Sequence, residues 1–150
     1  MIRKARISDV KDIHSLLTYF AGKQMLLARS LSDLYENVRD FFVIEEEGHV
    51  IGAGALHIIW EDLAEIRSLA IKEEFQRAGL GSGIISFALA EAREYGIKKV
   101  FTLTYQPEFF KKNGFNIIDK SQLPHKIWAD CIRCPRFPNC DEIAMMMELN

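Results

Sequence analysis

The sequence predicts one mixed α/β domain, α+β in layout, with a mostly antiparallel central sheet flanked by helices. Two observations point to this class. The hydrophobic period alternates between strand-like and helix-like spacing in the order β-α-α-β-β-β-α-β-α-β, then an irregular loop over about 120–141 and a last strand. Successive early strands read as antiparallel neighbours, and a strand, glycine turn and helix over 63–95 read as a crossover that adds a parallel pair. A chain of 150 residues suits a single domain spanning 1–150 with one sizeable core.

Taken in order, residues 2–7 alternate apolar and basic side chains as a short strand does. Ser8 and Asp9 suit the start of a helix on which Val10, Ile13, Leu16, Leu17 and Phe20 recur, and Gly22 ends it. His14 lies on this helix and is assigned no role. Ser30 or Ser32 caps a second helix with Leu31, Leu34, Tyr35, Val38 and Phe41 on one face. Residues 42–46 and 50–60 form a hairpin around Glu47-Gly48. Gly52 and Gly54 within it predict a bend or another backbone close by. After the strand at 63–71, the helix over 79–95 buries Ile84, Ile85, Phe87, Ala88, Leu89 and Ala92, and Gly96 follows it. A strand at 99–105, a short helix opened by Pro107 and closed by Gly114, and strands at 115–118 and 143–149 complete the order.

Composition narrows the functions. Hydrophobic content of 49% and charged content of 27% are those of an ordinary soluble protein. A net charge of −2 gives no general attraction to nucleic acid or an anionic membrane. No apolar run reaches the ~18 residues of a membrane span. Met1-Ile2-Arg3-Lys4 opens no signal peptide, so a cytoplasmic protein is expected. The three cysteines lie together between 131 and 140, which argues against a secreted disulfide framework.

The chemistry centres on Gln76-Arg77-Ala78-Gly79-Leu80-Gly81-Ser82 and Gly83, between the strand at 63–71 and its helix. A helix start with no Cβ in the way offers backbone N–H groups to an anion, and Arg77 adds a positive charge. Glycines 79, 81 and 83 are read here as letting backbone approach a phosphate. The spacing fits neither the dinucleotide fingerprint nor the Walker loop. Gln-x-x-Gly-x-Gly resembles instead the acetyl-CoA-binding segment of the GNAT superfamily of N-acyltransferases. So does the element order, and so does the Phe-Phe-Lys-Lys-Asn-Gly-Phe run at 109–115. The resemblance covers nearly the whole chain. It implies acetyl-CoA as cosubstrate, with the amides of 76–82 on its pyrophosphate. Leu69, Ala70 and Ile71 would pair with its pantetheine arm, and Phe110 would lie beside it.

Acetyl transfer to an amine needs a neutral nucleophile, a polarised thioester carbonyl and a departing thiolate. Glu65 is the candidate base, two residues from Arg67 on one strand face; the alternative is a plain ion pair with Arg67. Many GNAT enzymes place a tyrosine where this chain has Phe110. Tyr105 is the nearest replacement as acid, or a packing residue, and a thiolate can leave without one.

Leu27-Ala28-Arg29-Ser30 and 123–128 resemble the acetyltransferase domain of N-acetylglutamate synthases, especially short bacterial ones without a kinase domain. The resemblance implies that Leu27, Arg29 and Ser30 meet the amino-acid substrate, Arg29 pairing a carboxylate as an arginine fork does. Glutamate has two carboxylates, so Arg67 and Lys126 are further cations for it, or surface charges. Cys131, Cys134 and Cys140 form C-x-x-C plus one, which suits structural zinc with His125 or Asp141 as fourth ligand, or three reduced cysteines in a proline-stiffened loop. The partners implied are acetyl-CoA and glutamate, without nucleic acid or membrane, while a homodimer or a pathway-enzyme partner stays open. Competing readings keep the chemistry on another amine or a protein N-terminus, make the cysteine loop a nucleic-acid-binding knuckle, or make the chain an acyl-CoA sensor.

Overall fold

The computed structural model describes residues 1–124, 127 and 141–150. Strands β1 (Ile2–Lys4), β2 (Phe41–Glu46), β3 (His49–Trp60), β4 (Leu63–Ile71), β5 (Lys99–Thr104), β6 (Asn116–Ile117) and β7 (Ile143–Glu148) form one 7-stranded sheet in the order β1-β2-β3-β4-β5-β7-β6. The pairings are antiparallel except β4–β5. Helices α1 (Val10–Gly22), α2 (Leu31–Glu36), α3 (Leu80–Glu94) and α4 (Pro107–Lys112) flank it. The element order is the one the periodicities predict.

Strand alternation sorts the core. Val43, Ala53, Ala55 and Ala70 join Val10, Ile13, Leu17 and Phe20 of α1 and Leu34 of α2. Phe42, Ile44, Leu56, Ala64 and Ile66 join Ile84, Ile85, Ala88 and Leu89 of α3. Phe87 departs from its predicted burial: it is 49% exposed and meets Phe42 edge-on at the rim.

Two irregularities in β4 open the sheet. Its pairing to β5 runs only from Leu63↔Lys99 to Glu65↔Phe101. One further tie, Thr102 Oγ1 donating to the Ile66 carbonyl at 2.9 Å, closes the junction. The second irregularity is a bulge. Ala53 pairs Ala70 and Ala55 pairs Arg67, so Ser68 and Leu69 together oppose Gly54. Ser68 takes a φ of +58°, rare for a residue with a Cβ. The bulge reverses the alternation: Ala64 and Ile66 sit in the α3 core, whereas Ala70 sits in the α1 core. A Cβ on Gly54 would stand 2.8 Å from Ile84 Cγ2, and one on Gly52 would stand 2.6 Å from Ile71 Cδ1. Side chains, not a passing backbone, are therefore the nearest neighbours of both glycines.

At the N-terminus β1 ends at Lys4, earlier than the alternation suggests, because Asp9 organises the turn into α1. Its carboxylate accepts from Arg3 Nη1 at 2.8 Å and from the Arg6 backbone at 2.7 Å instead of capping α1. The Arg3 hydrogen bond, set against burial, holds the Asp9 carboxyl below its ordinary value. A depressed folded-state pKa contributes stability above the unfolded value, lost as pH falls through the folded one. Asp9→Asn is expected to lower stability by about 2–3 kcal/mol at pH 7. The gap from wild type should shrink below pH 4 in urea titrations, as both carboxyl states become neutral.

Candidate active site

The splay between β4 and β5 forms a cleft of about 850 Å³ bounded by β4, the loop after β5, the start of α3, α4 and the segment after α1. Among the predicted residues, Leu27, Arg29, Glu65, Arg67, Leu69, Ala70, Ile71, Gln76, Arg77, Gly79, Leu80, Gly81, Ser82, Tyr105 and Phe110 line it. Ala78 and Ser30 do not. Ser30 is the N-cap of α2, its Oγ accepting from the Asp33 amide at 3.1 Å. Lys126, Cys131, Cys134, Cys140 and His125 lie outside the described residues. Asp141, the alternative fourth zinc ligand, accepts from the Tyr105 hydroxyl at 2.7 Å. The described residues contain no group of three metal-binding side chains.

One end of the cleft is built for an anion. Arg77 and Gly79 adopt left-handed backbone, with φ of +69° and +78°. The turn aims α3 so that the first helical bond runs from the Gly83 amide to the Gly79 carbonyl at 3.0 Å. The amides of Leu80, Gly81 and Ser82 then have no partner within the helix, and no side chain caps them. The positive end of the helix dipole adds to them. Gln76 Nε2 ties the loop to β4 by donating to the Ile71 carbonyl at 2.9 Å. The three glycines divide in purpose. Space around Gly79 is open, but a Cβ on Gly81 would stand 3.0 Å from the Phe109 ring and one on Gly83 would stand 2.7 Å from Ile2 Cδ1. Gly83 therefore serves helix–sheet packing, not phosphate approach.

The other end is polar and tightly paired. Arg67 donates to Glu65 Oε1 through Nη2 at 2.7 Å and Nε at 3.1 Å. Arg29 is held on three sides. Its Nε donates to Asp33 Oδ2 at 2.6 Å and its Nη1 to Ser68 Oγ at 3.1 Å, and its guanidinium lies 5.3 Å from the Phe41 ring centre. The Arg29 hydrogen bond, chiefly, keeps the Asp33 carboxyl below its ordinary value, and the Arg67 charge adds to this. Nη2 of Arg29 donates to no described residue, and Arg29 lines the cleft. Phe110 is 4% exposed, wedged edge-on between Phe109 and Phe115, and can do no proton chemistry.

Sequence reasoning missed Ser68 and Asp33. Asp33 had a signal, since it stands four residues after Arg29. Ser68 had none, because its exposure to the cleft comes from the bulge. Ser68→Val is expected to lose the Arg29 contact and to strain the left-handed backbone, costing about 1–2 kcal/mol in thermal stability.

Comparison with known proteins agrees with this architecture. The acetyltransferase (GNAT) family model matches residues 9–115. An uncharacterised N-acetyltransferase of Chlorobaculum tepidum is 43% identical over 148 residues, 99% of this chain and 96% of that one. The amino-acid acetyltransferase of Mycobacterium tuberculosis is 38% identical over 136 residues, 89% of this chain and 78% of that one. N-acetylglutamate synthase from Neisseria gonorrhoeae, complexed with coenzyme A and N-acetyl-glutamate, superposes with a TM-score of 0.92 at 26% identity, over 100% of this chain and 35% of that one. No helix among the described residues is long and apolar enough to cross a membrane. The chain belongs to the acetyltransferase (GNAT) family and is an acetyl-CoA-dependent N-acetyltransferase.

Proposed function

We infer that the acceptor is the α-amine of an amino acid, L-glutamate, and that the product is N-acetyl-L-glutamate, the entry metabolite of arginine biosynthesis. The observation that carries this reading is Arg29, oriented by Asp33 and Ser68 with Nη2 unspent at the cleft. An amine substrate lacking a carboxylate gives such a fork nothing to bind. The names of the relatives support it: the amino-acid acetyltransferase of M. tuberculosis and the synthase crystallised with N-acetyl-glutamate.

We assign each residue the role that its position in the cleft supports. Coenzyme A pyrophosphate takes the amides at 80–82, with Arg77 beside it, and pantetheine runs along the unpaired edge of β4 at Leu69, Ala70 and Ile71. Arg29 holds one substrate carboxylate. Glu65, hydrogen-bonded by Arg67, takes a proton from the ammonium. The neutral nitrogen attacks the thioester carbonyl, and the C–S bond breaks as the tetrahedral species collapses. Tyr105 is assigned to protonate the leaving thiolate. Because a thiolate leaves unaided, Tyr105→Phe is expected to lower kcat by less than about tenfold. Gly79→Val is expected to raise KM for acetyl-CoA by about tenfold, since a β-branched residue at positive φ misaims the amides, and to leave KM for glutamate alone.

The test is release of free CoA from acetyl-CoA with each of the twenty amino acids. Turnover with glutamate far above the others is the expected result. A different preferred amine would overturn the acceptor while leaving the coenzyme assignments intact.

A further inference from the structure

The neighbours of Glu65 on its sheet face follow from the pairing register. Along β4 they are Leu63 and Arg67, two residues away on either side. Across to β5 the partner is Phe101, fully buried. Across to β3 the partner is His57. Directly paired residues carry their side chains on the same face with Cβ atoms about 4.5–5.5 Å apart. Leu63 and Phe101 are apolar, and an arginine does not take up protons. Within the sheet, His57 is the neighbour able to accept one.

The tautomer of the imidazole is set by its partner on the other side. Nδ1 lies 2.7 Å from Asp40 Oδ2, in the short turn between α2 and β2. With Nδ1–H donated to Asp40, Nε2 is the accepting nitrogen. The His57 and Asp40 side chains are 30% and 22% exposed, whereas that of Glu65 is 12% exposed. Neither His57 nor Asp40 lines the cleft. The pair thus stands behind Glu65, away from the substrate and in contact with water.

We propose that His57, held by Asp40, is a positioning residue that carries the proton taken up by Glu65 out to solvent. The proposal rests on Glu65 being the base. The acceptor nitrogen loses two protons in forming the amide. One ends on the coenzyme sulfur. The other passes from the ammonium to the Glu65 carboxylate, then by way of a water to Nε2 of its cross-strand neighbour His57. The resulting imidazolium, paired with Asp40, gives it to water, and Glu65 is ionised for the next turnover. Among the described residues, the ring pairs with Asp40, and its cross-strand neighbour is Glu65, itself bound by Arg67.

The experiment measures steady-state CoA release for wild type, His57→Gln, Asp40→Asn and Glu65→Gln, in dilute buffer and with added imidazole. His57→Gln is expected to lower kcat by about tenfold in dilute buffer, and imidazole is expected to restore most of it. Both KM values should stay within about twofold. Asp40→Asn, which keeps the ring, should give a smaller loss that imidazole also restores, and it keeps the relay testable should His57→Gln fold poorly. Wild-type kcat in His57→Gln overturns the relay, as does a loss that imidazole leaves unchanged or one that appears in KM. Glu65→Gln separates the two levels. An active Glu65→Gln overturns the base itself, whereas an inactive Glu65→Gln beside an intact His57→Gln overturns the relay alone.

Discussion

Glu65→Gln is expected to lower kcat by about 10²–10⁴-fold, the range of a lost general base. The substitution is nearly isosteric. A glutamine oxygen can still accept from Arg67, which reaches Glu65 Oε1 at 2.7 Å, so the strand face keeps its packing. The variant loses only the capacity to take a proton. KM for acetyl-CoA should hold, because the amides at 80–82 belong to a separate part of the cleft. The loss should also shrink at high pH, where the acceptor amine reaches its neutral form unaided. Rates measured from pH 7 to pH 10 check this: the ratio of wild-type to variant kcat narrows as pH rises. A plain Glu65–Arg67 ion pair predicts otherwise. Its loss would lower the melting temperature, and kcat would change by a similar factor at every pH.

Much of the fold was legible because local and tertiary preferences agree. The apolar spacing of α1, the hairpin of β2 and β3, and the glycine-marked start of α3 each state their element without help. The short helix at Pro107 shows both its start and its stop. The site was legible only where a residue type carries its chemistry with it: an arginine fork, a strand carboxylate, a glycine turn. Its geometry was not. The cleft exists because β4 parts from β5 beyond Glu65, and strand separation has no sequence signature. Ser68 enters the cleft because a bulge turns the strand over, at a residue type with no marked preference for positive φ. Glycine misled in the same way. Gly83 looks like part of a phosphate loop, yet it makes room for Ile2 from β1, a contact 81 residues away in sequence. Phe87 has the helical spacing of a core residue, but it meets the Phe42 ring edge-on and stays half exposed.

Arg29→Ala is expected to raise KM for glutamate by about 10²-fold, since a charge-assisted bidentate contact is worth about 2–4 kcal/mol once desolvated. KM for acetyl-CoA should change by less than about twofold. Arg29→Lys keeps the charge and loses the fork. A lysine ammonium cannot reproduce the planar geometry that spans Asp33 and Ser68 at 2.6 and 3.1 Å while presenting two further N–H groups. Its KM is therefore expected between those of wild type and Arg29→Ala, nearer the latter. A cycle of substrate and enzyme changes identifies which carboxylate the arginine holds. Converting the α-carboxylate of glutamate to an amide removes the partner from the ligand side; glutamine removes the side-chain partner. If Arg29 holds the α-carboxylate, the α-amide costs wild type heavily and costs Arg29→Ala almost nothing, while glutamine is penalised equally in both. The opposite pattern moves Arg29 to the side-chain carboxylate and leaves Arg67, the other arginine at that end of the cleft, for the α-carboxylate. Equal penalties for both analogues in both enzymes would show that Arg29 touches neither, and glutamate would lose its main support as the acceptor.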